Sequence, residues 1–200
     1  MDTLRLLLSE IQKLNATLER WAPMEKAVPD FTQETAFRWV GGTQPGQGYL
    51  CPLPQSMGCR LSDLIGIDRQ KKELDLNTRQ FIEGHPANNA LLWGSRGTGK
   101  STLVKALLAE YREQGLRMIE VGRAHLIDLP EIQGFIRNRP ERFIVYCDDL
   151  AFESDDAGYK VLKATLEGTL SEQPENLLIY ATSNRDRKST RLNSSHVKRS

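Results

Sequence analysis

Eight consecutive residues, Gly94-Ser95-Arg96-Gly97-Thr98-Gly99-Lys100-Ser101, have the types and spacing needed to hold a chain of phosphates. Glycines let successive backbone N–H groups curl inward around anionic oxygens, where a Cβ would intrude. Lys100 adds a mobile positive charge suited to β- and γ-phosphates, and the Ser101 hydroxyl is a hard oxygen ligand for Mg2+. Downstream, an apolar run over 142–147 ends in Asp148-Asp149. A carboxylate there would stand beside the cation held by Ser101, which makes Asp148 the metal-organising residue. Asp149 would then face the γ-phosphate and could polarise the attacking water. Asn184, at the end of the next apolar run, could hold the same water by hydrogen bonding. Each residue also has a plainer role open to it. A Gly/Ser stretch can be a flexible loop, and strand-end Asp or Asn residues commonly cap turns.

The elements around these residues must bring them to one end of a sheet. Residues 89–93 form a short apolar run suited to a buried parallel strand. Behind the glycine loop, Leu103, Val104, Ala106, Leu107, Leu108 and Tyr111 recur at helical spacing up to Gly115. Strand, loop and helix in that order aim the positive end of the helix at a bound anion. Residues 117–121, 142–147 and 176–181 read as three more strands. A short helix is expected over 129–137 with Pro130 in its first turn. An amphipathic helix is expected over 159–170, with Tyr159, Leu162, Leu166 and Leu170 on one face. Four strands with intervening helices predict a parallel sheet covered on both faces. Ligands of such sheets bind at the carboxyl ends of the strands, and the glycine loop, the aspartate pair and Asn184 all fall there.

Together these segments resemble AAA+ ATPases. Residues 94–101, 143–149 and 177–184 are similar to Walker A, Walker B and sensor 1 of that class. The glycine before Thr98 favours this class over small-molecule kinases and GTPases, and no Asn-Lys-x-Asp sequence appears. The stretch Leu61-Ser-Asp-Leu-Ile-Gly-Ile-Asp-Arg-Gln-Lys-Lys72, with Leu74, Asn77, Phe81 and Ile82 after it, resembles the lead-in that AAA+ proteins place before their first strand. More narrowly, 61–185 is similar to an uncharacterised bacterial AAA+ family known only as a domain of unknown function. The matching signatures are Gly66-Ile-Asp-Arg-Gln-Lys71, Trp93-Gly-Ser-Arg-Gly-Thr-Gly-Lys-Ser101 and Tyr146-Cys-Asp-Asp-Leu-Ala-Phe-Glu153.

The resemblance implies an α/β P-loop NTPase (AAA+) fold, a three-layer sandwich with a parallel sheet, using ATP and Mg2+. It implies nucleotide contacts from Gly94, Ser95, Arg96, Gly97, Thr98, Gly99, Lys100 and Ser101, with Ile65 and Gly66 beside the adenine. Catalysis would fall to Lys100, Asp149 and Asn184, and the metal to Ser101 and Asp148. One departure bears on activity: Walker B usually ends Asp-Glu, and Asp149 is one methylene shorter. The chain is further expected to be truncated before the fifth strand and helical lid, without the arginine finger and second sensor of a complete module. Arg185 resembles a sensor arginine but is left out of the site, because the residues that follow it are expected to be non-native.

The flanks are expected to carry other things. Leu4, Leu7, Ile11, Leu14, Leu18 and Trp21 alternate spacings of three and four, so 1–22 reads as an N-terminal amphipathic helix packed on the domain or a neighbour, with a short coiled coil as the alternative. Residues 23–60 read as a connector with little regular structure, apart from a short hairpin around 37–40, because 41–48 and 51–54 are rich in Gly and Pro. Residues 61–185 make the nucleotide-binding core. The eleven residues 186–196 match what a widely used sequencing adapter encodes, so 186–200 are expected to be non-native and their basic side chains to carry no function.

Composition narrows the function classes. The formal net charge of +1 supports no nucleic-acid surface. No signal peptide is evident, and no apolar run approaches the ~20 residues of a membrane span; a cytoplasmic enzyme is expected, with no membrane partner. Cys51 and Cys59 lie too far apart for a zinc knuckle, Cys147 reads as a small buried hydrophobe, and His85 and His125 as surface loop residues. The expected function is Mg2+-dependent ATP binding and hydrolysis coupled to conformational change in a homo-oligomer acting on an unknown protein client. Two alternatives stand beside it: an ATP-gated switch or scaffold with little hydrolysis, and a helicase-loader-like ATPase dependent on single-stranded DNA.

Overall fold

A computed structural model describes residues 29–44, 46–54, 59–150, 157–166 and 174–184. The expected N-terminal helix, the tail after Asn184 and residues 167–170 of the amphipathic helix lie outside the described residues. The described elements are β1 (Ala36–Val40), β2 (Tyr49–Pro52), α1 (Asp68–Ile82), β3 (Ala90–Trp93), α2 (Lys100–Tyr111), β4 (Leu116–Glu120), α3 (Leu129–Ile136), β5 (Arg142–Cys147), α4 (Ala157–Leu166) and β6 (Leu177–Ser183).

The strands form one sheet of six in the order β2-β1-β4-β5-β6-β3. All neighbours are parallel except the β1–β2 pair. The central strands are apolar at nearly every position because both faces of the sheet are covered. On β5, Phe143, Val145 and Cys147 enter one core layer while Ile144 and Tyr146 enter the other. On β6, Leu177, Ile179 and Ala181 alternate with Leu178 and Tyr180 in the same way. The first layer packs on α3 and α4 through Leu129, Ile132, Ile136 and Leu162. The second packs on α1 and α2 through Leu74, Phe81, Leu103, Val104 and Leu107. The result is the three-layer α/β sandwich of a P-loop NTPase.

Polar ties fix the helices where the apolar layers alone would let them slide. The Tyr180 hydroxyl, buried under α1, sits 2.9 Å from the Thr78 hydroxyl and accepts from the Asn77 amide at 2.9 Å. Asn176 donates to the carbonyls of Ile136 and Arg139 at the end of α3, at 2.7 and 3.0 Å. Arg117 turns its buried guanidinium on the carbonyls of Phe31, Arg112 and Leu116, which ties the segment before β1 to β4. Burial pushes this guanidinium's pKa down, partly offset by the charges of Glu141 and Glu113.

The four expected strands and the 129–137 helix are present within a residue or two. The stretch expected to be a connector differs. Residues 36–52 form a hairpin that extends the sheet, β1 lying parallel to β4 with Phe37 opposite Ile119. The physical reason is burial: Phe37 and Trp39, at period-2 spacing, enter the core beside Phe31 and Leu50. The glycine-rich turn of the hairpin is held by α3. Glu131 accepts from the backbone N–H groups of Gly46 and Gly48 at 3.1 and 3.0 Å, and Asp128 accepts from Trp39 Nε1 at 2.9 Å. A Cβ on Gly48 would stand 1.9 Å from the Trp39 ring. Gly48→Ala should therefore destabilise the protein by about 1–3 kcal/mol, through overpacking of a buried indole, as read from urea unfolding midpoints.

Candidate functional site

The site forms where β3, β5 and β6 end. The glycine loop runs from the end of β3 to the start of α2, pinned at its entry by the Gly94 N–H donating to the Ser183 carbonyl at 3.2 Å. Gly94, Gly97 and Gly99 have φ of 147°, 82° and 80°. The glycines are required by these backbone angles rather than by crowding: a Cβ at Gly97 would meet nothing within 4 Å, and one on Gly99 would touch only Ile67 Cδ1 at 3.6 Å. Helix α2 starts at Gly99 with no side-chain cap and no acidic residue in its first turn. Its free N–H groups and positive dipole end face the loop, the arrangement that favours an anion. Lys100 lies over the loop, its Nζ donating to the carbonyls of Gly94 and Ser95 at 2.9 and 2.8 Å. Thr98 Oγ1 closes the turn on the Ser95 carbonyl at 2.9 Å, while the Ser95 and Arg96 side chains are exposed.

Across the cleft stands the acid pair. Ser101 Oγ donates to Asp148 Oδ1 at 2.8 Å, joining residues 47 positions apart. The same oxygen accepts from Thr182 Oγ1 at 2.5 Å and from the Asp149 N–H at 3.1 Å. Burial works against ionisation of Asp148, but hydrogen bonds from Thr182, Ser101 and the Asp149 N–H outweigh it and hold the carboxyl below the ordinary aspartate range. Asp149 turns sharply out of the strand with φ of 52°, the sole positive φ outside glycine among the described residues. Its N–H also donates to Thr182 Oγ1 at 3.0 Å, and its Oδ1 accepts from Asn184 Nδ2 at 2.7 Å. Backbone strain of this kind is held by its surroundings; here Leu150 returns to the sheet by donating its N–H to the Thr182 carbonyl at 2.7 Å.

The fold therefore brings Lys100, Ser101, Asp148, Asp149 and Asn184 to one cleft. Ile65 is 92% exposed, in the turn ahead of α1, and Gly66 beside it has φ of 81°. Ile67 reaches Gly99, so this turn borders the cradle. Thr182 and Tyr146 escaped the sequence reading. The register of β5 on β6, Cys147 opposite Ala181, is what sets Thr182 beside Asp148; only the pairing of the two strands reveals it. Ser101 and Asp148 offer hard oxygen donors of the kind Mg2+ takes alongside water and phosphate. Among the described residues no three His, Cys, Asp or Glu side chains gather as a metal cluster. Cys147 is inert as a nucleophile, burial pushing its thiol up to about 12. No helix of the described residues is long and apolar enough to cross a membrane.

Phosphate cradle, helix N-terminus and strand-end acids on this sheet define a P-loop NTPase fold of the AAA+ type. Within that class the chain belongs to the family described as "Protein of unknown function (DUF815)", which residues 32–194 match. The matched range takes in the β1–β2 hairpin and ends inside the stretch read as non-native. No curated protein matches the chain. Among solved structures it is similar to DnaI, at 26% identity over 65% of this chain and 71% of that one, with a TM-score of 0.44. It is also similar to AMPPCP-bound DnaA from Aquifex aeolicus, at 20% identity over 63% and 42%, TM-score 0.45. A third is PCH-2 from C. elegans, at 18% identity over 63% and 41%, TM-score 0.44. The chain spans less than half the length of the last two.

The lowered pKa of Asp148 makes a pH prediction. Its contribution to stability is complete above the unfolded aspartate range, about pH 4, and is lost as pH falls through the lower folded value. Asp148→Asn should therefore lose less stability than wild type between about pH 7 and pH 3, as read from urea midpoints at each pH.

Proposed function

We propose that the chain binds ATP with Mg2+ and hydrolyses it, using the energy for conformational change in a homo-oligomer that works on a protein client. The observation that carries the reading is the 2.8 Å contact of Ser101 with Asp148, with the phosphate cradle on one side and the Asn184–Asp149 pair on the other. Lys100 would leave the loop carbonyls to neutralise charge on the β- and γ-phosphates. The backbone N–H groups of 94–101 would hold the phosphates, with Ile65 and Gly66 bordering the adenine. Ser101 and Asp148 would hold Mg2+, which when bound neutralises charge developing on the phosphates. Asp149, fixed in direction by Asn184, would orient and deprotonate the attacking water.

A second reading, an ATP-gated switch with little turnover, is favoured by Asp149 itself. The acid is short, its backbone is strained, and one of its oxygens is already engaged by Asn184. The two readings separate by experiment. The assay uses the full chain. Lys100→Ala should abolish nucleotide binding. Asp149→Asn should still bind ATP while turnover falls at least about 100-fold. Single-stranded DNA should leave wild-type turnover unchanged. Tight ATP binding by wild type without any turnover would replace the motor by the switch.

A further inference from the structure

Thr182 stands on β6 two residues beyond Tyr180, so its side chain joins the face on which Leu178 and Tyr180 pack under α1 and α2. It is buried. Valine would fill that place in an apolar row without bringing a hydroxyl to be satisfied, so the polar group is accounted for by what it binds. Both of its partners are acids of the cleft. A carboxylate only accepts and a backbone N–H only donates, which settles the direction of each bond. The single hydroxyl hydrogen goes to Asp148 Oδ1 at 2.5 Å, and a lone pair is thereby turned to the Asp149 N–H at 3.0 Å. The return of the chain to the sheet is fixed without the hydroxyl: the Leu150 N–H donates to the Thr182 carbonyl at 2.7 Å, and Ser183 Oγ donates to the Leu150 carbonyl at 2.8 Å. What the Thr182 hydroxyl adds is a hold on Asp149, whose φ of 52° is uncommon for any residue but glycine.

We propose that Thr182 is a positioning residue for hydrolysis, its hydroxyl locking the Asp149 backbone in the left-handed turn that aims the Asp149 carboxylate at the attacking water. The inference rests on the reading of Asp149 as the acid that orients that water. Asn184 holds the carboxylate through Oδ1 at 2.7 Å, and Thr182 holds the same residue through its N–H, so the acid is fixed at both ends. A carboxylate this close to its backbone keeps its direction only while the backbone does, and small misplacements of a reacting group are costly in rate. Thr182 touches neither phosphate nor water and acts through Asp149.

Thr182→Val and Thr182→Ser in the full chain test this, by amide hydrogen exchange without nucleotide and by ATP turnover with Mg2+. In Thr182→Val, exchange should quicken about tenfold at Asp149 and stay at the wild-type rate at Leu150, whose bond to the Thr182 carbonyl survives. Its kcat should fall about tenfold, while KM and ATP affinity in EDTA stay within about twofold, the pattern of an interaction made only in the transition state. Thr182→Ser keeps the hydroxyl and should recover most of the turnover and of the Asp149 protection. In an Asp149→Asn background, adding Thr182→Val should cost nothing further. The proposal is overturned if Thr182→Val exchanges and turns over like wild type, if Thr182→Ser is as slow as Thr182→Val, or if the losses from Thr182→Val and Asp149→Asn multiply. Faster exchange at Leu150 together with weaker ATP binding in EDTA overturns it as well, since the hydroxyl would then serve the fold. A wild type without turnover, or an Asp149→Asn variant as active as wild type, sinks the reading of Asp149 and Thr182's role with it. An inactive Asp149→Asn beside a Thr182→Val of normal kcat removes the role of Thr182 alone.

Discussion

One carboxylate oxygen, Asp148 Oδ1, gathers the parts of this molecule that have to agree. Ser101 reaches it from α2, Thr182 from β6 and the backbone N–H of Asp149 from two residues past β5. Three segments far apart in sequence are thereby set to within a hydrogen bond of each other. Charge-assisted bonds of this kind are stronger and more directional than neutral ones. The sheet brings the three groups near by strand pairing, and the carboxylate fixes their final spacing. The turn at Asp149 follows from the same knot, because the N–H that bends toward Asp148 and Thr182 forces the backbone into the left-handed region. Asp149 is then presented to Asn184 rather than continuing along the strand.

The hairpin at the opposite edge shows a different logic. Nothing catalytic lies on β1 or β2, yet Trp39, Phe37 and Phe31 complete the layer that buries α3. The rings of Phe31 and Phe37 meet edge to face at 5.0 Å, and those of Phe31 and Phe143 at 5.1 Å. Aromatic pairs of this geometry add to plain burial. Asp128 and Glu131 fasten the hairpin's far end from the first turn of α3 and just before it, so helix and hairpin stabilise each other. The nucleotide-binding half of the sheet thus stands on a foundation that begins well upstream of its own motifs.

Much of this was legible in the residues. The glycine loop, the Asp148-Asp149 pair and Asn184 are contiguous signatures, and the strands that deliver them are apolar runs with clear ends. What stayed hidden depends on pairing across the sheet. Thr182 is an ordinary threonine until β6 is laid against β5. Tyr146 reads as another apolar strand residue until its buried hydroxyl is found without a hydrogen-bond partner. A short hairpin around 37–40 is expected from the residues, but not its docking on the sheet: the glycines and prolines of 41–54 mask how far its strands run and what they pair with. A five-residue strand whose partner lies some eighty positions away carries too little local pattern to announce where it docks.

The glycine loop hangs from β3, which among the described residues pairs with β6 alone. Its outward side chains, Leu91 and Trp93, are about half exposed, at 51% and 48%. The acids hang instead from β5, which is bonded on both sides. Among the described residues the two halves of the cleft are therefore supported unequally: the acids hang from a strand hydrogen-bonded along both sides, the glycine loop from one hydrogen-bonded along a single side.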